Sequence, residues 1–151
     1  MGWFYGFKLH IIVNEQGELL SFKVTKGNTN DRVPVKELCR NIKGKLFGDK
    51  VYIGQKLFEE LWESGVQLIT NVKKNMKNKL IPLEDKLLLR KRFIIETIND
   101  QLKNISNIEH SRHRSPTNFM VNLIAGLISY TWEEKKPAIT TRNIPSKAHL
   151  Y

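Results

Sequence analysis

Apolar residues alternate with polar or small ones over Trp3–Val13, and this period of two is the feature that most constrains the fold. Successive side chains of a strand point to opposite faces, so the alternation predicts a β-strand with one face in a core. Turn residues follow at Asn14–Gly17, and the period of two resumes over Leu20–Val24. The sequence therefore predicts a β-hairpin over residues 3–25.

The rest of the chain reads as helices alternating with short strands. Apolar spacing and capping residues predict helices over 33–42, 55–64, 82–105 and 116–133. Two further strands are predicted at 45–53 and 66–72, with a lysine-rich loop at 73–80 and a loose tail at 137–151. Because the first two strands form a hairpin, this order indicates an α/β domain with a mixed sheet rather than a doubly wound one.

Composition narrows the class of protein. The chain has 151 residues, and its 40% hydrophobic content can fill one core, which argues against a disordered chain. A single cysteine excludes an internal disulfide framework, so Cys39 is expected to be a buried apolar residue in a reducing cytoplasm. The longest apolar stretch, 119–132, falls short of the roughly 20 residues of a membrane span. It therefore predicts a buried helix, and no secretion signal opens the chain.

The positive charge is concentrated in one segment. The chain carries 25 Lys+Arg against 15 Asp+Glu, a net charge of +10. Residues 1–72 hold 10 basic and 8 acidic side chains, whereas 73–114 hold 11 and 5. A local excess of this kind is typical of a surface that binds nucleic acid. A solvated lysine-rich face without a partner would give the same pattern.

Two places in the sequence could carry chemistry. Asp49 directly follows a predicted strand, where α/β sheets build their sites, although a turn aspartate that caps the next helix would look the same. Arg92, Glu96 and Lys103 lie four and seven residues apart, which places them on one stripe of a continuous helix. That stripe suits a metal ligand with neighbouring phosphate contacts, or an exposed ion pair. Glu109, His110 and His113 form only a weak metal-site pattern.

Four ordered blocks of the sequence resemble a known family. They are Gly2–His10, Gly48–Gly54, Lys91–Thr97 and Ile108–Ser115. Together they resemble the C-terminal part of the catalytic domain of a bacterial insertion-sequence transposase. The resemblance is to the DDE superfamily and, in detail, to the insertion-sequence 982 type, and it covers nearly the whole chain.

The resemblance implies a ribonuclease-H-like mixed sheet flanked by helices, in which three carboxylates hold two Mg²⁺ ions for DNA cleavage and strand transfer. Asp49 matches the second carboxylate and Glu96 the third, so both are expected to be catalytic and to bind metal. Arg92 and Lys103 fit the spacing of a Tyr-Arg-Glu-Lys pattern, with Leu89 in place of the tyrosine. The expected DNA contacts are Lys73, Lys74, Lys77, Arg92, Lys103, Arg112 and Arg114.

The family's first aspartate lies on a strand upstream of the Trp-Phe-Tyr-Gly-Phe-Lys block, with which this sequence begins. We therefore expect residues 1–136 to be a truncated catalytic domain that lacks the first, central strand and is inactive alone. The hairpin and strand 45–53 would then face a gap, with Trp3, Tyr5 and Phe7 exposed and the domain poorly stable or rearranged.

Two other functions remain open from the sequence. One is a non-catalytic, basic DNA-binding remnant, and the other is an unrelated α/β domain that binds RNA or a protein. The expected partners are DNA at transposon ends and target, and a second copy or an intact transposase. The expected place is the bacterial cytoplasm, at the nucleoid and without a membrane.

Overall fold

The computed structural model describes residues 6–71, 81–104 and 115–139 and the backbone of 148–150. The first three of these ranges contain four strands and five helices: β1 Phe7–Asn14, β2 Leu19–Lys26, α1 Val35–Leu38, β3 Gly44–Gly48, α2 Gln55–Glu63, β4 Val66–Thr70, α3 Leu83–Lys91, α4 Ile94–Asn104 and α5 Pro116–Trp132. A 3-10 helix spans Lys50–Tyr52, and a short strand, β5, spans Ala148–Leu150.

The strands form one mixed sheet in the order β2-β1-β5-β3-β4. Strands β1 and β2 are the predicted hairpin, and β1 is also antiparallel to β5. Strand β3 is parallel to both β4 and β5. The prediction of an α/β domain with a mixed sheet is therefore confirmed.

Helices cover both faces of the sheet, and each face has its own apolar core. On one face α3, α4 and α5 pack on Ile11, Val13, Phe47 and Ile69. On the other face α1 and α2 pack on residues from the alternate positions of the same strands: Ile12, Leu46, Val66 and Leu68. Alternate residues of these strands are therefore buried on opposite faces of the sheet, because helices from two different parts of the chain cover those faces.

Strand β5 corrects two expectations from the sequence. The hairpin and β3 do not face a gap, because Ala148–Leu150 lies between them. Leu150 pairs with Val13 of β1 and with Phe47 of β3. The tail is therefore not loose over these three residues, and the central position of the sheet is filled.

The predicted helix over 82–105 is two helices, α3 and α4, separated at Arg92 and Phe93. The buried residues explain the break. At 100° per residue, Ile94 would lie about 140° around a continuous helix from Leu89. Both are buried in the same core, so the axis must turn between them to bring both side chains to it.

Smaller differences concern residues near the predicted site. The strand predicted at 45–53 ends at Gly48, and the 3-10 helix follows it. The sequence also suggests Asp31 as a cap for the helix at 33–42, but α1 begins after Pro34 without a side-chain cap, and the Asp31 carboxylate accepts a 3.0 Å hydrogen bond from Lys8 Nζ. Phe7 stacks on Phe119 with 5.2 Å between ring centroids, so it is not the exposed apolar residue that was expected. Trp3 and Tyr5 lie outside the described residues.

Two buried polar side chains serve the fold. His10 is 6% exposed, its Nε2 lies 2.8 Å from Thr25 Oγ1, and burial lowers the pKa of its imidazole. Cys39 is buried as expected, and desolvation raises the pKa of its thiol to about 11. Among the described residues no helix has the length and apolarity needed to cross a membrane.

The hairpin turn is fastened to the last helix. Gly17 has a φ of 76°, in the left-handed region, and its carbonyl accepts a 2.5 Å hydrogen bond from the buried hydroxyl of Tyr130. A Cβ on Gly17 would lie 2.1 Å from the carbonyl oxygen of Pro137. The turn therefore requires glycine for its backbone conformation and for the close approach of the chain after α5.

Gly17→Ala should lower the free energy of unfolding by more than Gly65→Ala. Gly65 also has a positive φ, of 83°, but a Cβ there would meet only the flexible Lys43 side chain at 3.8 Å. We expect Gly65→Ala to cost about 1 kcal/mol from backbone strain, and Gly17→Ala about 3 kcal/mol or more because backbone must also move. Denaturant unfolding of both variants measures the difference, and equal costs would contradict the close approach to Pro137.

Candidate functional site

Asp49 lies at the end of β3, one residue after the strand. Its Oδ1 accepts a 2.6 Å hydrogen bond from the backbone N–H of Lys50, so it caps the 3-10 helix. The side chain is 47% exposed. Asp49 is therefore a capping residue, which was one of the two alternatives from the sequence. Its carboxylate remains accessible at the edge of the sheet.

Arg92 reaches the same carboxylate from the corner between α3 and α4. Its Nη1 lies 3.4 Å from Asp49 Oδ1. Arg92 is the C-cap residue of α3, at the corner where the chain turns into α4. This ion pair joins two of the four sequence blocks, which are about forty residues apart along the chain.

A second arginine, which sequence reasoning missed, fixes the segment after Asp49. Arg32 donates from Nε to the carbonyl oxygen of Val51 at 2.8 Å, and it packs beside Gly54. Its side chain is exposed. Arg32 follows Asn30, whose Oδ1 accepts from the Arg32 N–H at 3.0 Å. The Asn-Asp-Arg sequence is typical of a turn, but nothing in it indicates that the Arg32 side chain contacts Val51.

Glu96 and Lys103 both lie on α4 and are exposed. They are seven residues apart and share a face of that helix, as predicted. Arg92 is not part of that stripe, because it precedes the start of α4 at Ile94. The single stripe of three residues is therefore wrong, although its arginine still meets Asp49.

Several predicted site residues lie outside the described residues. These are the expected DNA contacts Lys73, Lys74, Lys77, Arg112 and Arg114, and also Glu109, His110 and His113 of the weak metal pattern. Within α3, Lys86 and Arg90 are exposed. The described part of the basic segment therefore presents cations on the helix that leads to the Arg92 corner.

An ion pair with a buried carboxylate holds α3 on the sheet. Asp85 is 2% exposed, and its Oδ1 accepts a 2.8 Å hydrogen bond from Lys45 Nζ of β3. The sequence held a signal for this pair, since Asp85 precedes the apolar Leu88 and Leu89 by three and four residues and so lies on their helix face. The pair fixes α3, and with it the corner at Arg92, relative to the strand that ends at Asp49.

The carboxylates at and near the strand end bear on whether a metal ion could bind there. Carboxylate oxygens such as those of Asp49 and Glu96 are ligands that Mg²⁺ prefers. Over residues 6–71, 81–104 and 115–139, however, no group of three His, Cys, Asp or Glu side chains is placed to hold a metal ion. The described residues do not by themselves make a two-metal centre.

The fold and the site define an α/β protein with an accessible carboxylate at a strand end, bordered by arginines. The sequence matches the family described as "Transposase DDE domain" over residues 1–116, and the chain belongs to that family. The matched range contains Asp49, Arg92 and Glu96. No curated protein and no solved structure matches the chain. Membership points to DNA transposition, and members of the family generally use a divalent metal.

Lys45→Met should destabilise the protein more than Lys8→Met. Both lysines lie on strands, have side chains 39% and 38% exposed, and pair with an aspartate, but the side chain of Asp85 is 3% exposed and that of Asp31 36%. Lys45→Met leaves a buried carboxylate unpaired, which we expect to cost about 3 kcal/mol, against less than about 1 kcal/mol for the exposed pair.

Denaturant unfolding of both lysine variants measures these costs. Lys45→Met combined with Asp85→Leu should recover most of the loss, because the unpaired charge is then removed. Equal costs for the two single variants would contradict a burial-dependent role of Asp85.

Proposed function

We propose that the chain is the Asp49- and Glu96-bearing part of a ribonuclease-H-like transposase catalytic domain of the insertion-sequence 982 type, acting on transposon ends and target DNA. The observation that supports this most is the Arg92–Asp49 ion pair, with 3.4 Å between Nη1 and Oδ1. It brings together two sequence blocks that carry the family resemblance. The strand order also supports the proposal, because a strand lies between the hairpin and β3, where the resemblance places the central strand.

Each site residue has a proposed role. Asp49 and Glu96 are the residues that would ligate Mg²⁺. Arg92, which neutralises Asp49 in the described structure, and Lys103 would contact phosphate oxygens, which accept charged hydrogen bonds from cationic side chains. The same role is proposed for the basic residues outside the described ranges: Lys73, Lys74, Lys77, Arg112 and Arg114. The proposed place of action is the bacterial nucleoid.

We further propose that this chain by itself does not cleave or join DNA. The strand beside β3, which leads to Asp49, is β5, and its residues Ala148, His149 and Leu150 include no carboxylate. Two-metal phosphoryl transfer needs negative ligands that hold both ions about 4 Å apart. Among the described residues, Asp49 and Glu96 are the two proposed ligands, and two carboxylates supply too few negative charges to hold both ions.

The purified 151-residue protein should give no nicked or joined product with duplexes that carry terminal repeats of insertion-sequence 982-type elements, in Mg²⁺ or Mn²⁺. Denaturing gel electrophoresis of end-labelled DNA makes the measurement. The contrary result would be metal-dependent nicking that Asp49→Asn abolishes and Asp31→Asn leaves intact. Asp31 is the matched control because it is also an exposed aspartate paired with a cation.

A second candidate function is a non-catalytic DNA-binding protein that pairs with, or competes with, an intact transposase. It is favoured by the exposed cations Lys86 and Arg90 on the helix that ends at Arg92. Such binding needs phosphate contacts but no metal centre. The two candidates share the binding surface and differ in whether Asp49 and Glu96 serve as catalytic residues once the rest of the catalytic domain is present.

DNA binding by this chain should weaken steeply with salt. Each phosphate contact adds roughly 0.9 to the slope of log K against log salt concentration for duplex DNA. Arg90→Gln removes one expected phosphate contact and should therefore lower the magnitude of that slope by roughly 0.9. Arg40→Gln is the control and should not change the slope, because Arg40 is an exposed residue after α1, on the other side of the sheet. Fluorescence anisotropy of a labelled duplex measures both, and a slope near zero for the unchanged protein would rule out both candidates.

A further inference from the structure

Cations from three separate parts of the chain meet at the end of β3. Arg92, at the corner between α3 and α4, lies 3.4 Å from the Asp49 carboxylate. Arg32, in the turn before α1, donates to the carbonyl oxygen of Val51, two residues further along the chain. Lys50 lies between these two residues and is exposed. Positive charge therefore extends from the Arg92 corner past Asp49 to Arg32.

Contacts on two sides hold the Arg32 side chain in one position. Its Nε donates to the carbonyl oxygen of Val51 at 2.8 Å. A Cβ at Gly54 would lie 3.4 Å from Arg32 Nη1 and 3.8 Å from its Cδ, so the side chain lies against the backbone of that glycine. The Arg32 N–H is bonded to Asn30 Oδ1 at 3.0 Å. A side chain that is already fixed loses little conformational freedom when a ligand binds.

The outer edge of the Arg32 guanidinium is available for a ligand. Arginine has five N–H donors, and the contact with Val51 uses the one on Nε. Among the described residues no hydrogen bond or ion pair of Nη1 or Nη2 is found, and Arg32 is exposed. The two Nη groups form a planar fork that matches two oxygens of a phosphate.

The aspartates closest to Arg32 in sequence and at the strand end are each paired with another cation. Asp31 Oδ1 lies 3.0 Å from Lys8 Nζ. Asp49 Oδ1 lies 3.4 Å from Arg92 Nη1. The positive charge of Arg32 is therefore not used by either carboxylate, and a polyanion that reaches this edge of the sheet meets it.

Arg32 and Arg92 are close enough to contact one DNA strand. They contact residues 51 and 49, whose Cα atoms are at most about 7.6 Å apart, because consecutive Cα atoms are separated by about 3.8 Å. Each strand of duplex DNA carries one phosphate per roughly 3.4 Å of helix axis. Two arginines at this separation match phosphates that lie near one another on the same strand.

We infer that Arg32 is a further DNA-contacting residue, whose two Nη groups bind a backbone phosphate beside Asp49. The inference rests on the proposed function, because it adds a contact to the same DNA. Arg32 then has two roles: its Nε supports the segment after Asp49, and its Nη fork binds DNA. A phosphate contact positions the duplex and does not read its base sequence.

The first test uses the unchanged protein and phenylglyoxal, which reacts with the Nη groups of accessible arginines. Peptide mass spectrometry follows each arginine separately. A saturating duplex of arbitrary sequence should slow modification of Arg32 by about threefold or more, because a bound phosphate covers its Nη groups. Arg40 is the matched control, since it is exposed but precedes the start of β3 at Gly44, at the opposite end of the strand from Asp49. Its modification should not slow.

The second test is the salt dependence of duplex binding, measured by fluorescence anisotropy. Arg32→Gln should lower the magnitude of the slope of log K against log salt concentration by roughly 0.9, and Arg32→Lys, which keeps the charge, should leave it unchanged. Loss of support at Val51 alone would change the affinity without changing the slope, because the slope counts the counterions that phosphate contacts release.

Failure of this inference is distinguishable from failure of the proposed function. If the unchanged protein binds DNA with a steep slope, but DNA does not protect Arg32 more than Arg40 or Arg32→Gln keeps the full slope, the inference is overturned and the proposed function stands. If the unchanged protein shows no salt-dependent binding, both are overturned. Should circular dichroism show that Arg32→Gln is unfolded, the phenylglyoxal result on the unchanged protein decides.

Discussion

The pairing of Ala148–Leu150 with β1 and β3 is the contact on which the rest of the sheet depends. On one side lies an antiparallel hairpin, on the other a parallel pair, and in the described structure β5 is the strand between them. Without it, backbone groups of Val13 and of Lys45–Phe47 that now pair would be buried unpaired, at about 1–3 kcal/mol each. The residues of β1 and β3 that pair with β5 belong to both apolar cores: Val13 and Phe47 to one, Leu46 to the other.

The site depends on a second constraint, the turn of the chain at Arg92. Burial of Leu89 and Ile94 in one core forces the break between α3 and α4. The Lys45–Asp85 pair then fixes α3 against β3, and Arg92 comes to lie 3.4 Å from Asp49. Packing of α3 therefore determines which charge lies beside Asp49. The Asp49 carboxylate lies between Arg92 and the start of the 3-10 helix, and Arg32 binds the backbone of that helix at Val51. An exposed pair of this kind contributes little stability, so its importance lies in placing charge where a polyanion could meet it.

Local patterns predicted much of this arrangement. The hairpin, the helix at 55–64 and the strand before Asp49 follow from periodicity and turn residues, because strand and helix repeats depend on neighbours in sequence. Asp49 was found because it follows a strand, and Glu96 and Lys103 because they are seven residues apart. The spacing of five residues between Leu89 and Ile94 indicates the helix break, because two residues at that spacing do not share one face of a continuous helix. The spacing of Asp85 to Leu88 indicates that Asp85 lies on the buried face of α3, but no local pattern predicts that its partner is Lys45.

The sequence by itself determined the class of fold, the hairpin, the family and the residues of the two blocks that meet at the site. Only the tertiary structure decided which strand lies in the middle of the sheet, which cation meets Asp49, and that Arg32 supports the segment after it. The physical reason is the sequence separation over which each interaction acts. Periodicity and capping act over one or two turns, whereas β5 pairs with residues more than one hundred positions away. Contacts at that separation depend on how two cores pack around a shared sheet, and no local pattern encodes them.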